Sequence, residues 1–519
     1  MTDVATSSRA KSLGAAPKAA EIIKTYQRHL PPGTLTHFRV DALDHLDIPV
    51  VTARLLLATG GSLEGIGYGA TADDALVGAL GELSEEAHCD RALGAAPRVQ
   101  GSYEQLVNER GAHAVVDPLT LCLPAGSSYS PQQLLTWVQA RRLANHEPVL
   151  VPEEFAAEAP GQLRSNVKPL VTPITNGLGA GLGFEQALVH GVLELLQRDG
   201  NVLSYRALDQ GVAIDLDRVD DPVVRDLLTR YRARGVDVVA KVAATDFGML
   251  NVYVVGAEPH PLTAFPLRLT ACGEAVHPDR ERALRKALLE FAGSRARKSF
   301  RHGAFDRITQ VAPPEYLDRV LPKIDLSKEE ARALHGMSEW LLADDVTLRR
   351  LLHQKGILAT KSTVPLSELP TVELGSVDDP VKRLQVVASR LAQTGLDVLY
   401  VDFSPPGREV FVVKAIVPGL ESETLSYHRI GERGVRRLLD RESSLVHVGE
   451  AVPGTERVRL TKQAEDRLGG PVWLDTRALD DLVGDLYPLY REPSGHAAQL
   501  YLSRQRAVAS QAVSSAGAI

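Results

Sequence analysis

The sequence predicts a mixed α/β (α+β) protein built from mixed sheets and acidic helices. Two observations predict it. Short β-branched runs bounded by turn residues alternate with amphipathic stretches. One helical phrase also occurs three times, far apart in the chain, each time with a glutamate at the same place.

The elements follow in chain order. The first twenty residues, "MTDVATSSRAKSLGAAPKAA", carry no continuous apolar stretch, and residues 1–30 are expected to form a loose tail. "ALVGALGELSEEAH" (Ala75–His88) is the first copy of the phrase, with Leu76, Ala79, Leu80 and Leu83 at helical spacing. "GSSYSPQQLLTWVQARRL" (Gly126–Leu143) predicts a loop and then a helix that buries Trp137. The second copy is "ALVHGVLELLQRDG" (Ala187–Gly200), with Leu188, Val192, Leu195 and Leu196 on its apolar side. "VDVVAKVAAT" (Val236–Thr245), "LNVYVVGAE" (Leu250–Glu258) and "REVFVVKAIV" (Arg408–Val417) predict strands. "ALRKALLEFAGSR" (Ala283–Arg295) is the third copy, and Pro314–Trp340 predicts surface helices. "PVKRLQVVASRLAQTG" (Pro380–Gly395) predicts a helix, and the prolines of "DFSPPGREV" a connection between strands. A main domain over 31–445 and a helical extension over 446–519 complete the organisation, with a weakly docked end.

The shared glutamates are Glu82, Glu194 and Glu290, each seven positions after the opening alanine of its copy. Asp73, Glu185 and Glu281 place negative charge at the positive end of each helix. Three residues beyond the shared glutamates stand Glu85, Gln197 and Gly293, and that spacing puts each pair on one helical face. Arg198 follows Gln197, and Arg295 lies just past the third glutamate. In any one helix such residues read as a solvated face with weak ion pairs. Triplication points instead to one shared site, where gathered carboxylates need a cation between them. Hard oxygen ligands beside an amide and arginines suit Mg2+ bound to phosphates. There is no GxxxxGK[ST] loop to cradle those phosphates. His190 reads as a packed helix residue as readily as a proton carrier.

Composition narrows the alternatives. A formal net charge of -7, without basic runs, argues against nucleic acid and membrane surfaces as partners. No segment offers an apolar run long enough to span a bilayer. Cys89, Cys122 and Cys272 lie far apart, which argues against a disulfide framework and a structural zinc site and fits a reducing cytoplasm.

With these residues in view, the chain resembles the YcaO family. "LDHLDIPVVTARL", "GYGATADDALVGALGELSEE", "ITNGLGAGLGFEQALVHGVLELLQRD" and "ACGEAVHPDRERALRKALLEFAGSR" carry the resemblance in order. "GLDVLYVDFS", "KAIVPGLE" and "RIGERG" extend it. It implies a YcaO-like fold whose acidic helices surround a nucleotide site. ATP and Mg2+ are its implied cofactors, used to activate a backbone amide of a ribosomally made peptide or protein. After a nucleophile adds to the carbonyl carbon, the amide oxygen is phosphorylated and leaves as phosphate. A neighbouring Cys, Ser or Thr as nucleophile gives an azoline, external sulfide a thioamide, and a backbone or terminal nitrogen an amidine.

Carried over by position, the resemblance implies Glu82, Glu85, Glu194 and Glu290 as metal ligands. It implies these four with Gln197 and Arg198 as nucleotide contacts, and Glu194 and Arg198 as catalytic. Four positions depart from the family's pattern: Gly78 stands for a serine, Gln197 for a glutamate, Gly293 for a glutamine and Tyr68 for a lysine. They keep open a second reading, a catalytically weakened subunit that presents the peptide to an active partner. The chain lacks the proline-rich tail of many azoline-forming relatives, and no precursor-binding domain precedes the matched segments. Leader recognition is therefore expected from a separate leader-binding or accessory protein or from the extra C-terminal region, and a homodimer fits by analogy.

Overall fold

The computed structural model describes residues 18–164, 168–204, 209–258, 265–374, 379–421 and 428–516. Mixed helices and several sheets make up the fold, with no closed barrel among the described residues. Three strand–turn–helix units organise it. Strand β1 (Ser62–Tyr68) leads into helix α1 (Ala72–Ala95), β2 (Leu178–Gly181) into α2 (Phe184–Ser204), and β3 (Cys272–His277) into α3 (Arg280–His302).

Each of the three strands is the edge of a different sheet. β1 closes an antiparallel meander with Gly33–Arg39 and Val50–Leu57. β2 ends a sheet that continues through Phe411–Ile416, Leu399–Asp402 and Leu134–Arg142 to Val99–Ser102, with Pro148–Pro152 also paired to Leu134–Arg142. β3 ends a sheet running through Leu250–Ala257, Asp237–Ala244 and Val212–Asp215 to Ser362–Pro365, the last pair being parallel.

Glycine brings each strand onto its helix. A Cβ at Gly67 would stand 2.0 Å from the Ala75 carbonyl oxygen, and one at Gly179 2.1 Å from that of Ala187. Only a residue without a side chain permits that approach. The helices bury their apolar faces in separate clusters: Ala79, Leu80 and Leu83 in one, Leu188, Val192, Leu195 and Leu196 in a second, Leu284, Leu288 and Phe291 in a third. α1 is fixed at its start by a capping box between Thr71 and Asp74.

The strands expected at 236–245, 250–258 and 408–417 and the helix at 380–395 are present as Asp237–Ala244, Leu250–Ala257, Phe411–Ile416 and Pro380–Gln393. Three expectations are corrected. Helix Ala19–His29, with Tyr26 buried against α1, lies inside the stretch expected to be a loose tail; residues 1–17 are outside the described residues. Leu134–Arg142 is a strand rather than a helix, because it pairs with neighbours on both sides. Trp137 is fully buried there as expected, its indole N–H donating to the Gly101 carbonyl at 2.9 Å. The extension from 446 is not purely helical: Val446–Val448, Glu456–Arg457 and Val472–Leu474 form a small sheet before helices Thr476–Val483 and Ala497–Ala516.

Candidate nucleotide and metal site

The edge strands explain what the motif glutamates do locally. An edge leaves backbone N–H groups without a strand partner, and each buried one needs an acceptor. Glu82 accepts the Ile66 N–H of β1 at 2.9 Å, and Glu194 accepts the Gly177 N–H just before β2 at 2.9 Å. Glu85 crosses between units to accept the Ala180 N–H of β2 at 2.8 Å. The third unit differs: Glu290 accepts the Tyr68 hydroxyl of β1 at 2.9 Å. The carboxylates are thus anchored, and the anchors tie α1 to β2 and α3 to β1.

Electrostatics show how closely they gather. Crowding by protein raises Glu82 above the usual carboxylate range, with Arg297 and Arg301 opposing and Glu194 adding to the rise. Solvent still reaches Glu82, which tempers that effect. Glu85 is driven well up by burial and then by Glu82 and Glu194. Burial pushes Glu290 up to about 7, with Lys286 and Arg198 opposing and Glu274 reinforcing. Glu82, Glu85 and Glu194 therefore share one field. Glu290 joins them through Tyr68 and Arg297, each of which feels both Glu82 and Glu290.

Gln197 and Arg198 converge on Glu274, a buried carboxylate on β3. The Gln197 amide donates to it at 3.4 Å and the Arg198 guanidinium at 3.1 Å, while Arg198 also stands 3.6 Å from Glu194. Burial works against charge on Arg198, but Glu274, Glu194 and Glu290 outweigh it and hold it protonated. Glu274 escaped the sequence reading. Its signal is one charge in the otherwise apolar strand "CGEAVH". Arg297 and Arg301 also escaped it, although they lie seven and eleven positions after Glu290, on the same helical face. Arg295 points away from the site, bonded at full burial to Asp44 and Glu258. His190 is exposed on α2, one turn before Glu194, in the field of Lys286 and Arg383.

Two further motifs are supports. Asp199, buried beside Arg198, accepts from the Glu421 N–H at 3.0 Å and from Arg433 and Arg437 at 3.0 and 2.7 Å. Glu421 in turn accepts the Gly431 and Gly434 N–H groups at the start of helix Glu432–Asp440. "PGLE" and "RIGERG" thereby lock the end of the second motif. Lys414 is buried behind the site; burial lowers its amine against the pull of Cys89, Glu194, Glu158 and Glu85.

The sequence matches the YcaO cyclodehydratase family, ATP- and Mg2+-binding, over residues 66–421. The chain belongs to the YcaO family. A protein of Methanothermobacter thermautotrophicus is 28% identical over 404 residues, covering 76% of this chain and 92% of that one. A heterocyclase solved in complex with substrate and cofactor superposes with a TM-score of 0.60 at 18% identity over 85% of this chain. This chain spans only 57% of that heterocyclase's length. YcaO from Methanopyrus kandleri, solved with AMPPCP and Mg2+, gives a TM-score of 0.52 at 20% identity over 80% of this chain and 94% of that one. ATP and Mg2+ are accordingly the cofactors of this family member.

The donor set fits that pair of ligands in a particular way. Among the described residues no three acidic, histidine or cysteine side chains converge as a finished metal cage. Glu82, Glu85 and Glu194 each use one oxygen on a backbone amide. Mg2+ is normally held by one or two carboxylates together with phosphate oxygens and water, so an incomplete protein cage suits metal that arrives with nucleotide. No described helix is long and apolar enough to cross a membrane.

Proposed function

We propose that this chain is an ATP- and Mg2+-dependent enzyme that activates a backbone amide of a ribosomally made peptide, giving an azoline or a thioamide. The observation that carries the reading is that Glu82, Glu85 and Glu194 are anchored at two neighbouring sheet edges in one another's field, with Arg198 held between Glu194 and Glu274 and Glu290 tied to the first edge through Tyr68. Such an arrangement supplies positioning and charge neutralisation, which are what phosphoryl transfer requires of a protein.

Bound ATP with Mg2+ would supply the phosphoryl group that turns the amide oxygen into a leaving group. Glu82, Glu85, Glu194 and Glu290 hold the metal in this reading, and Gln197 contacts the nucleotide. Arg198, kept charged between Glu194 and Glu274, offsets negative charge developing at the phosphoryl group. The likeness to a heterocyclase and the family description support azoline formation first. The peptide and any accessory subunit would come from outside the chain, whose reaction takes place in the cytoplasm.

The test is incubation of the purified protein, ATP and Mg2+ with candidate precursor peptides whose amide oxygens are isotopically labelled. Label appearing in released phosphate, with loss of water from the peptide or exchange of oxygen for sulfur, is expected. Tight peptide binding with no ATP consumption, even when partner proteins are added, would favour the presenting subunit instead.

A further inference from the structure

The sheet that carries β3 is split between two of its strands. Strand Val212–Asp215 pairs with Ser362–Pro365 along its whole length. On its other side, among the described residues, it meets strand Asp237–Ala244 at a single position, Ala213 opposite Lys241. Beyond that pair the two strands part, although Asp237–Ala244 stays paired with Leu250–Ala257 as far as Asp237. A cleft of about 370 Å3 opens between Asp215 and Leu216 on one side and Asp237, Val238 and Val239 on the other.

The two faces of the cleft differ in character. Ile214, Leu228 and Val236 are buried in the core cluster of α3, and the half-buried Leu216 and Val238 pack against the same cluster. Alternation along the strands then sends Asp215 and Asp237 to the opposite face. There the lining holds three carboxylates, Asp215, Asp217 and Asp237, and one cation, Arg232, which pairs with Asp217 at 2.6 Å. Asp215 pairs with Arg218 at 3.4 Å, outside the lining. Asp237 is exposed and makes no hydrogen bond or ion pair among the described residues, so the unbalanced charge is its own.

A strand edge without a partner offers N–H and C=O groups to a further extended chain, whose alternate side chains fall on opposite faces. In this cleft one set would meet the apolar face and the other the carboxylates. We propose that it binds an extended segment of the peptide substrate, one in which apolar residues alternate with lysine or arginine, as an added strand beside Asp237–Ala244. The inference rests on the peptide-modifying reading above and names the part of the substrate that is held away from the reacting amide.

The cleft lies close enough to the candidate site for that role. Glu274, Tyr253, Lys241 and Ala213 occupy one row across the sheet. Three strand spacings, about 14 Å, separate the ends of the row. An extended chain covers about 3.3 Å per residue, so a peptide anchored in the cleft reaches the site within a few residues.

The experiment uses the full chain and fluorescein-labelled octapeptides that alternate valine with lysine, serine with lysine, or valine with glutamate. Fluorescence anisotropy reads affinity, and amide hydrogen exchange is followed over residues 236–241. Asp237→Lys reverses the free charge and breaks no described contact, so its fold should hold, and unchanged circular dichroism checks this. The valine–lysine peptide should bind about tenfold or more tighter than the other two, slow exchange over 236–241, and lose about tenfold in affinity to Asp237→Lys. No binding of that peptide, or equal binding of the serine–lysine peptide, would overturn the assignment. So would unchanged affinity in Asp237→Lys. A wild type that sediments as a dimer and an Asp237→Lys variant that sediments as a monomer would give the cleft to a second copy and overturn it too. A precursor peptide modified by wild type, and by Asp237→Lys at the same KM, would sink this inference and leave the proposed function standing. Binding as expected, with no ATP consumed on any precursor, would support the cleft and sink the enzymatic reading in favour of the presenting subunit.

Discussion

The ring of Tyr68 occupies the space that a side chain at Gly293 would need. A Cβ at 293 would lie 2.7 Å from Tyr68 Cδ1, and the same tyrosine's hydroxyl holds Glu290 at 2.9 Å. Two of the four departures from the family's pattern are therefore one coupled change, packed into the site.

A double-mutant cycle tests that coupling. Gly293→Gln alone should overpack the site and cost about 1–3 kcal/mol, read from denaturant unfolding. Combined with Tyr68→Lys, which withdraws the ring, the same substitution should cost less. A coupling of about 0.5 kcal/mol or more is expected for residues in contact, whereas simple additivity would mean that the two positions vary independently.

Gln197 makes the opposite case to a decayed ligand. Its amide donates to Glu274, and a glutamate there would set two buried carboxylates against each other with only Arg198, already shared between Glu274 and Glu194, to offset them. Gln197→Glu should lower the stability of the ligand-free protein by about 1–3 kcal/mol and leave ATP affinity the same or weaker. A calorimetric gain in ATP affinity would show instead that a fifth carboxylate is missing from the site.

Much of this was legible in the sequence. The alanine-to-glutamate spacing puts Glu82, Glu194 and Glu290 at the same position of three helices that stand on different sheets, because helical period fixes which residues share a face. What the sequence hid was non-local. Leu134–Arg142 has apolar spacing compatible with a helix, and its pairing with Val99–Ser102 and Pro148–Pro152 decides otherwise. Glu274, Arg297 and Arg301 sit outside the repeated phrase, so only packing brings them to it. The Tyr68–Gly293 exchange reads as two losses until the ring is seen over the glycine.

Stability should fall as pH rises through neutrality. Burial raises both Glu86 and Glu158 to about 7; Glu64 adds to the rise of Glu86, Glu86 to that of Glu158, and Asp90 to each. For a carboxyl raised in the folded state, the native protein binds more protons than the unfolded chain between about 4.3 and 7. The unfolding free energy therefore declines across that interval, and the contribution present at low pH is gone above 7. Thermal melts without ligand should show a lower midpoint at pH 8 than at pH 6. Glu158→Gln should recover about 1 kcal/mol of the difference. An unchanged pH profile in that variant would show that Glu158 ionises freely in the folded state.

Metal binding should release protons, and more at lower pH. Glu85 stands well above the usual carboxylate range and Glu290 at about 7, so the ligand-free site carries protons that a metal ligand must give up. Mg2+ alone should bind weakly, because three of the four glutamates have already used one oxygen on backbone amides. With ATP present, phosphate oxygens complete the coordination and the protons leave. Titrating ATP and Mg2+ in buffers of different ionisation enthalpy measures that release directly: it should be larger at pH 6.5 than at pH 8.5 and smaller in Glu85→Gln. Equal heats in all buffers at pH 6.5 would mean that the carboxyls are ionised before metal arrives and that the charge near Arg198 and Lys286 already balances them.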